Sequence, residues 1–304
     1  MSQPSPRHPN TTYMLTRRTS QRLMRLLPRG DKLRQLVRYA IFKAAAAHSV
    51  EIHGFCCMST HLHVLATDKL GNIPDFTHDV HELIARAANS LHGVKGELWD
   101  GRPTNYLALE GADTALRYFT YLLLNPVKAL LVKSCTDWPG AITPPSQACK
   151  TGKVKRPDTA FFRRSKLPEV VDFELTIPPA LAHLAPKAFR KQLSASVSHA
   201  EQRVHAHAKG KGLRFLGVRR LLKRDRFSAP SKSGERSGER VPTIADSDPD
   251  RRRHRIELLQ QFRQQYREAR EQWLAGVTEV LFPAGTFKMR GYPGVTVGVD
   301  VATT

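Results

Sequence analysis

The sequence predicts an α+β fold: a ferredoxin-like antiparallel sheet with helices on one face, followed by a mostly helical basic C-terminal extension. Three observations predict it. Short apolar runs with a period near two mark strands at residues 11–16, 50–57, 61–67 and 106–110. Apolar residues at three- and four-residue steps mark helices between them. The resulting order is strand, helix, strand, strand, helix, strand, helix. That is the split-βαβ pattern with one helix added, in which one antiparallel sheet packs its helices on one side.

The elements follow in order. Residues 1–10 are polar and read as a disordered tail. The first strand leads into a basic loop with Arg17, Arg18, Arg22, Arg25 and Arg29. Asp31 reads as an N-cap, and Leu33, Leu36, Val37, Ala40, Ile41, Ala44 and Ala45 give the first helix its apolar face. Two strands joined at Met58-Ser59-Thr60 form a hairpin. The second helix carries Val80, Leu83, Ile84, Ala87, Ala88 and Leu91, with Gly93 as its stop. After the fourth strand, a third helix runs from near Asp113 to Asn125, where Pro126 follows and residues 127–132 add a further turn.

Residues 136–157 lack a clear period and read as the domain boundary, which gives a domain at 11–145 and an extension at 146–304. Within the extension, residues 187–209 and 251–277 read as helices, and 209–226 is strongly basic. A linker near 228–250 contains the repeat Ser233-Gly234-Glu235-Arg236, Ser237-Gly238-Glu239-Arg240. Residues 282–301 are Gly-rich and β-branched, in the manner of a hairpin.

Composition narrows the function. The chain has 304 residues and a net charge of +21, with a pI near 10.3. So basic a protein favours a polyanionic partner, with nucleic acid ahead of membrane. No apolar run is long enough to span a bilayer, and the N-terminus has no signal-peptide core. Cys56, Cys57, Cys135 and Cys149 form no CxxC pair. They read as reduced thiols of a cytoplasmic, nucleoid-associated protein.

Two motifs carry chemistry. His61 and His63 lie two apart in a strand, so both side chains point to one face with Cα atoms roughly 6.5 Å apart. That spacing lets two imidazoles reach one metal ion, although a His-x-His on a strand also arises by chance. A second such pair, His205 and His207, lies in a helical stretch, where residues two apart do not share a face. Tyr121 and Asn125 lie four apart on the third helix, so a phenol and an amide share one face. Taken alone, Asn125 reads equally as a helix-terminal residue before a proline, and Tyr121 as a half-buried aromatic.

Together the motifs resemble the REP-associated tyrosine transposases, of the HUH single-tyrosine transposase superfamily. The resemblance rests on the strand from Met58 through His63, on Leu98-Trp99, on Tyr121 through Lys128, and on Asp137-Trp138-Pro139. It covers about residues 11–142. Ser59 stands where the family usually has proline, and residues 122–124 form an unusually apolar run.

The resemblance implies a site. His61, His63 and the Asn125 amide oxygen would ligate a divalent cation, Mg²⁺ or Mn²⁺, with open positions left on the ion. Tyr121 would be the catalytic nucleophile, and its phenol pKa, ordinarily near 10, should fall beside the cation. Tyr118 is the competing nucleophile, but lacks the four-residue relation to Asn125. The substrate would be hairpin-containing single-stranded DNA, cleaved and rejoined through a 5′-phosphotyrosine by a monomer or homodimer. Arg17, Arg18, Arg22 and Lys128 are candidate DNA contacts. The competing readings are a domesticated, non-catalytic binder of single-stranded nucleic acid and a metal-dependent phosphodiesterase that uses water.

Overall fold

A computed structural model describes residues 3–230 and 242–299. Strand β1 (Thr11–Arg18) leads through a loop to helix α1 (Asp31–His48), then the hairpin β2 (Val50–Cys57) and β3 (His61–Asp68). Helix α2 (Ile73–His92), strand β4 (Asn105–Glu110) and helix α3 (Ala112–Lys128) complete the predicted order. The first four strands lie in the order β2-β3-β1-β4, with antiparallel neighbours throughout. This is the sheet order that the split-βαβ pattern requires.

The mixed α+β class and the antiparallel sheet stand. The expected placement of every helix on one face needs correction. Tyr13, Leu15, Phe55 and Val64 belong to the core built on α1 and α2. Met14, Cys56, Leu65 and Leu107 belong to a second core built on α3. The physical reason is that β2 and β3 are apolar on both sides. Both are buried along nearly their whole length, and a sheet apolar on both faces needs a cover on each.

Two boundaries also shift. Asp31 is the first residue of α1 and not its cap; Gly30 holds the cap position at φ 78°, a value a side chain rarely adopts. Asp31 instead places its charge in the first turn, where the helix dipole favours it, and ion-pairs with Arg34 at 2.7 Å. Helix α3 continues through Pro126 to Lys128. Proline leaves the Leu122 carbonyl without its usual N–H, and the Asn125 side chain donates to that carbonyl at 3.3 Å and to the Tyr121 carbonyl at 2.9 Å.

Much of the extension packs onto the two cores of the sheet, and a small third cluster of Ala269, Val280, Phe282 and Met289 lies within the extension itself. Strands β5 (Thr151–Lys155) and β6 (Val170–Glu174) pair as a ribbon, with the one-turn helix α4 (Ala160–Arg163) between them. Val154, Phe162 and Leu175 join the α1–α2 core. Helix α5 (Pro186–Gly210) packs on α3, with Phe119 and Phe189 rings 5.9 Å apart and Thr120 and Ser196 hydroxyls at 2.9 Å. Sheet on one side and α5 on the other explain the apolar run in α3: Leu122 and Leu123 are fully buried. Each contributes about 2 kcal/mol by burial.

Helix α6 (Val218–Leu222) precedes strand β7 (Ile244–Asp246), which adds to the sheet edge parallel to β4. Helix α7 (Pro249–Leu274) follows, with Phe262 and Tyr266 in its apolar contacts. Strands β8 (Val280–Phe282) and β9 (Val295–Val297) pair in parallel, which replaces the expected hairpin. Residues 3–10 carry no helix or strand. They are nonetheless in contact: the Arg7 N–H donates to the Gly285 carbonyl at 2.9 Å, and its guanidinium lies 4.2 Å from the Tyr106 ring centre. The repeat at 233–240 lies outside the described residues. Among the described residues, no helix is long and apolar enough to cross a membrane.

Candidate active site

The turn between β2 and β3 is pinned from three sides. Met58 N–H donates to the His61 carbonyl at 2.8 Å, Thr19 N–H to the Thr60 carbonyl at 2.9 Å, and Leu26 N–H to the Ser59 carbonyl at 3.0 Å. The Trp138 indole adds a fourth tie, donating to the Cys57 carbonyl at 3.0 Å. His61 is therefore fixed at the start of β3. In register, His61 pairs with Arg18 and His63 with Thr16. Strand alternation puts these four on the face of Met14 and Leu65, the face that α3 covers.

The two imidazoles meet edge to face with centres 4.6 Å apart. Each has its Nδ1 in a hydrogen bond to a threonine hydroxyl: Thr60 for His61 at 2.9 Å, and Thr16 for His63 at 2.8 Å. Such bonds fix ring orientation and present the other nitrogen. Burial, with Arg18 and Arg22 adding to it, lowers the His61 pKa to about 4. Burial, then His61 and Arg18, holds His63 well below the usual range. Both rings are thus neutral at neutral pH and keep a lone pair for a ligand.

Helix α3 brings the phenol. The Tyr121 ring lies 6.1 Å from the His63 ring, centre to centre, within one chain. Tyr121 is 37% exposed, so it is open to solvent on one side. Burial raises its pKa, Arg18 works against that, and Tyr118 adds to it. The phenol is therefore protonated at neutral pH. Asn125 hydrogen-bonds His61. Because its amide nitrogen donates to the α3 backbone, the oxygen is the atom left to face the imidazole.

The charged candidates divide. Lys128 sits with its Nζ 5.0 Å from the Tyr121 ring centre, and Arg18 and Arg22 bear electrostatically on His61. Arg17 does not join them. Strand alternation sends it to the other face, where it donates to the Arg102 carbonyl and lines a cavity with His81, Trp99 and Tyr106. Tyr118 stands 6.3 Å from Tyr121, under Arg117; the ring that meets His63 is Tyr121. His205, on α5, bonds the Lys133 carbonyl beyond the end of α3.

The sequence reading missed Thr16 and Thr60. Thr60 adjoins His61 and was available as a signal. Thr16 becomes visible only from the β1–β3 register. Among the described residues, no group of three or more His, Cys, Asp or Glu could hold a metal ion. The donors gathered here are two neutral imidazoles and one amide oxygen.

No family model and no curated protein matches the chain. Among solved structures, it is similar to a REP-associated tyrosine transposase determined bound to a REP hairpin. That match has a TM-score of 0.40 and 23% identity, over 47% of this chain and 82% of the other. It is also similar to a protein from Deinococcus radiodurans R1 described as a transposase, with a TM-score of 0.28 and 18% identity, over 41% of this chain and 97% of the other.

Proposed function

We propose that the chain is a metal-dependent endonuclease and strand transferase of single-stranded DNA, a transposase that works through a covalent phosphotyrosine at Tyr121. The observation that carries this reading is the approach of the Tyr121 ring to His63, at 6.1 Å, on the face that also holds His61 and Asn125. The motif resemblance of residues 58–63 and 121–128 supports it.

The donor set fits a divalent cation. His61 and His63 would bind through Nε2, since Nδ1 of each is engaged by a threonine, and Asn125 through Oδ1. Mg²⁺ or Mn²⁺ there would offset charge on a non-bridging oxygen of the scissile phosphate. Tyr121 Oη forms the new bond to phosphorus as the bond from phosphorus to the 3′-oxygen breaks. The phenolic proton must leave, because burial keeps the phenol protonated, and the departing 3′-oxygen takes up a proton. The products are a 5′-phosphotyrosine and a 3′-hydroxyl. The phosphotyrosine conserves the bond energy, so attack by a 3′-hydroxyl rejoins the strand without a nucleotide cofactor. Arg18, Arg22 and Lys128 supply positive charge for the phosphates on either side. A helix-borne phenol reaches a splayed phosphate more readily than one in a duplex, which favours a single strand beside a hairpin.

The test incubates the full chain with end-labelled hairpin DNA, with and without Mn²⁺, and looks for a complex that survives denaturant. Wild type forms the adduct and Tyr121→Phe does not. Cleavage that survives Tyr121→Phe but is lost in His61→Ala would indicate a water-using phosphodiesterase. Binding without an adduct, unchanged in Tyr121→Phe, would indicate a non-catalytic binder.

A further inference from the structure

The extension meets the core beside this site, at residues 24–29 between β1 and α1. Met24 N–H donates to the Ser228 carbonyl at 3.0 Å. Arg29 Nε donates to the Leu222 carbonyl at 2.8 Å, and its Nη2 donates to the Arg224 carbonyl. Arg25 lies between the two segments and is only 5% exposed. It faces the Phe227 ring at 5.5 Å and donates through Nη2 to Asn89 Oδ1 at 2.8 Å.

This contact gathers like charges. Arg226, Arg25 and Arg29 all act on His92, the last residue of α2. Among the described residues, none of the three arginines is ion-paired with a carboxylate. Among the described residues, two buried nitrogens in the cluster have no hydrogen-bond partner: Arg25 Nε and His92 Nε2. Burying a guanidinium with an unmet donor among other cations is costly. The Asn89 bond and the Phe227 ring account for part of Arg25 but for neither of these nitrogens. A compact anion with several acceptor oxygens, the chemistry of a phosphate group, would meet the Arg25 donor and, with the neutral His92 ring in its Nε2–H tautomer, the imidazole as well.

We propose that Arg25, Arg29, His92 and Arg226 form a second phosphate site, which binds a backbone phosphodiester of the strand that Tyr121 attacks. The proposal rests on the reading of Tyr121 given above. The core supplies Arg25, Arg29 and His92, and the extension supplies Arg226, so the site is complete only when the two are docked. A backbone phosphate is favoured over a free one by location. Arg22, three residues before Arg25 in the same loop, acts on His61, and Leu26 is bonded to the turn that precedes His61. A strand leaving the tyrosine would therefore run past this cluster.

The test uses the full chain and a fluorescein-labelled, unstructured single-stranded oligonucleotide, read by anisotropy across a KCl series. A second arm reads thermal stabilisation by inorganic phosphate. Arg226→Gln, at a half-buried position, is expected to bind DNA about tenfold more weakly at low salt. The slope of log affinity against log salt should fall by about 0.7. Arg25→Gln should lose more; because that residue is buried, Arg226→Gln and His92→Gln decide the matter if it folds poorly. Unchanged affinity and slope in Arg226→Gln and His92→Gln would overturn the site. Loss of phosphate stabilisation with DNA affinity unchanged would also overturn it, in favour of a small-anion site. The adduct assay is scored separately. If no adduct forms while Arg226→Gln still weakens DNA binding, the transferase reading fails and the second site stands.

Discussion

Two histidine environments at opposite ends of the same hairpin differ in what the fold sets against the rings. His53, near the far end, has both occupied: Nε2 bonds the Thr67 hydroxyl at 2.7 Å, and Nδ1 bonds the Thr176 carbonyl at 3.1 Å. It is fully buried. His61 and His63 each give Nδ1 to a threonine hydroxyl, Asn125 also bonds His61, and an exposed phenol stands beside the pair. Burial lowers the pKa of His53 and of His61 alike to about 4, so a depressed pKa does not separate a structural histidine from a functional one. The surroundings do: His53 is bonded on both nitrogens inside the core, whereas His61 and His63 face each other, an amide that could serve as a co-ligand, and a solvent-open phenol.

The largest effect expected from this contrast is a crossed pair of substitutions. His61→Ala should abolish the Tyr121 adduct while leaving thermal unfolding nearly unchanged. His53→Ala should do the reverse, because it opens a cavity and strips a partner from Thr67 and Thr176. Its stability cost is about 2–4 kcal/mol, read by urea unfolding. If His53→Ala is as stable as wild type, or His61→Ala unfolds, the two environments are not what the hydrogen bonds indicate. Next in size is the support beneath the pair. Thr16→Val and Thr60→Val remove the Nδ1 partners and should weaken Mn²⁺ binding by about 10–100-fold, read by titration calorimetry. Equal Mn²⁺ affinity in wild type and both variants would mean that the threonines orient nothing.

Much of this was legible in the sequence, and the gaps have physical causes. Period and turn chemistry were sufficient for the four core strands, the three core helices and their order along the chain. The helix spacing put Tyr121 and Asn125 on one face and the strand spacing put His61 and His63 on another, because both periods are geometric properties of the backbone; joining the two pairs into one site came from the motif resemblance. The second face of the sheet was missed, although the near-continuous apolar runs of β2 and β3 carried the signal. Thr16 was out of reach because register decides it. The continuation of α3 through Pro126 depended on the Asn125 side chain repairing the helix, which propensity alone does not encode. The extension was hardest to read. Strand β7 has three residues, and its place at the sheet edge follows from tertiary pairing.

A third prediction uses pH to isolate the closed end. The folded pKa of His53 is about 4, whereas an unfolded histidine titrates near 6.5. Between these values the unfolded chain binds the extra proton, so stability rises with pH across that window and falls on acidification. His53 alone should cost about 2 kcal/mol between pH 7 and pH 5. Other buried histidines add to the slope in wild type, so the useful quantity is a double difference. The stability gap between wild type and His53→Gln should narrow by that amount at pH 5. A gap that stays constant would place the His53 pKa near its ordinary value and weaken the claim that both of its nitrogens are committed.

The smallest effect tests the same face logic with charge. Arg17 and Arg18 are sequence neighbours, yet β1 turns them to opposite sides. Arg18 registers with His61 and acts on Tyr121, whereas Arg17 lines the cavity with Trp99 and Tyr106. If the DNA runs across the α3 face, Arg18→Gln should weaken binding of a single strand by about tenfold and lower the salt slope by about 0.7. Arg17→Gln should change affinity by less than about twofold, because its half-buried guanidinium faces the cavity on the other side of the sheet. Equal losses in the two variants would mean that charge anywhere on β1 suffices. The side of the sheet would then have no bearing on recognition, and the geometry around Tyr121 would lose its strongest link to a bound strand.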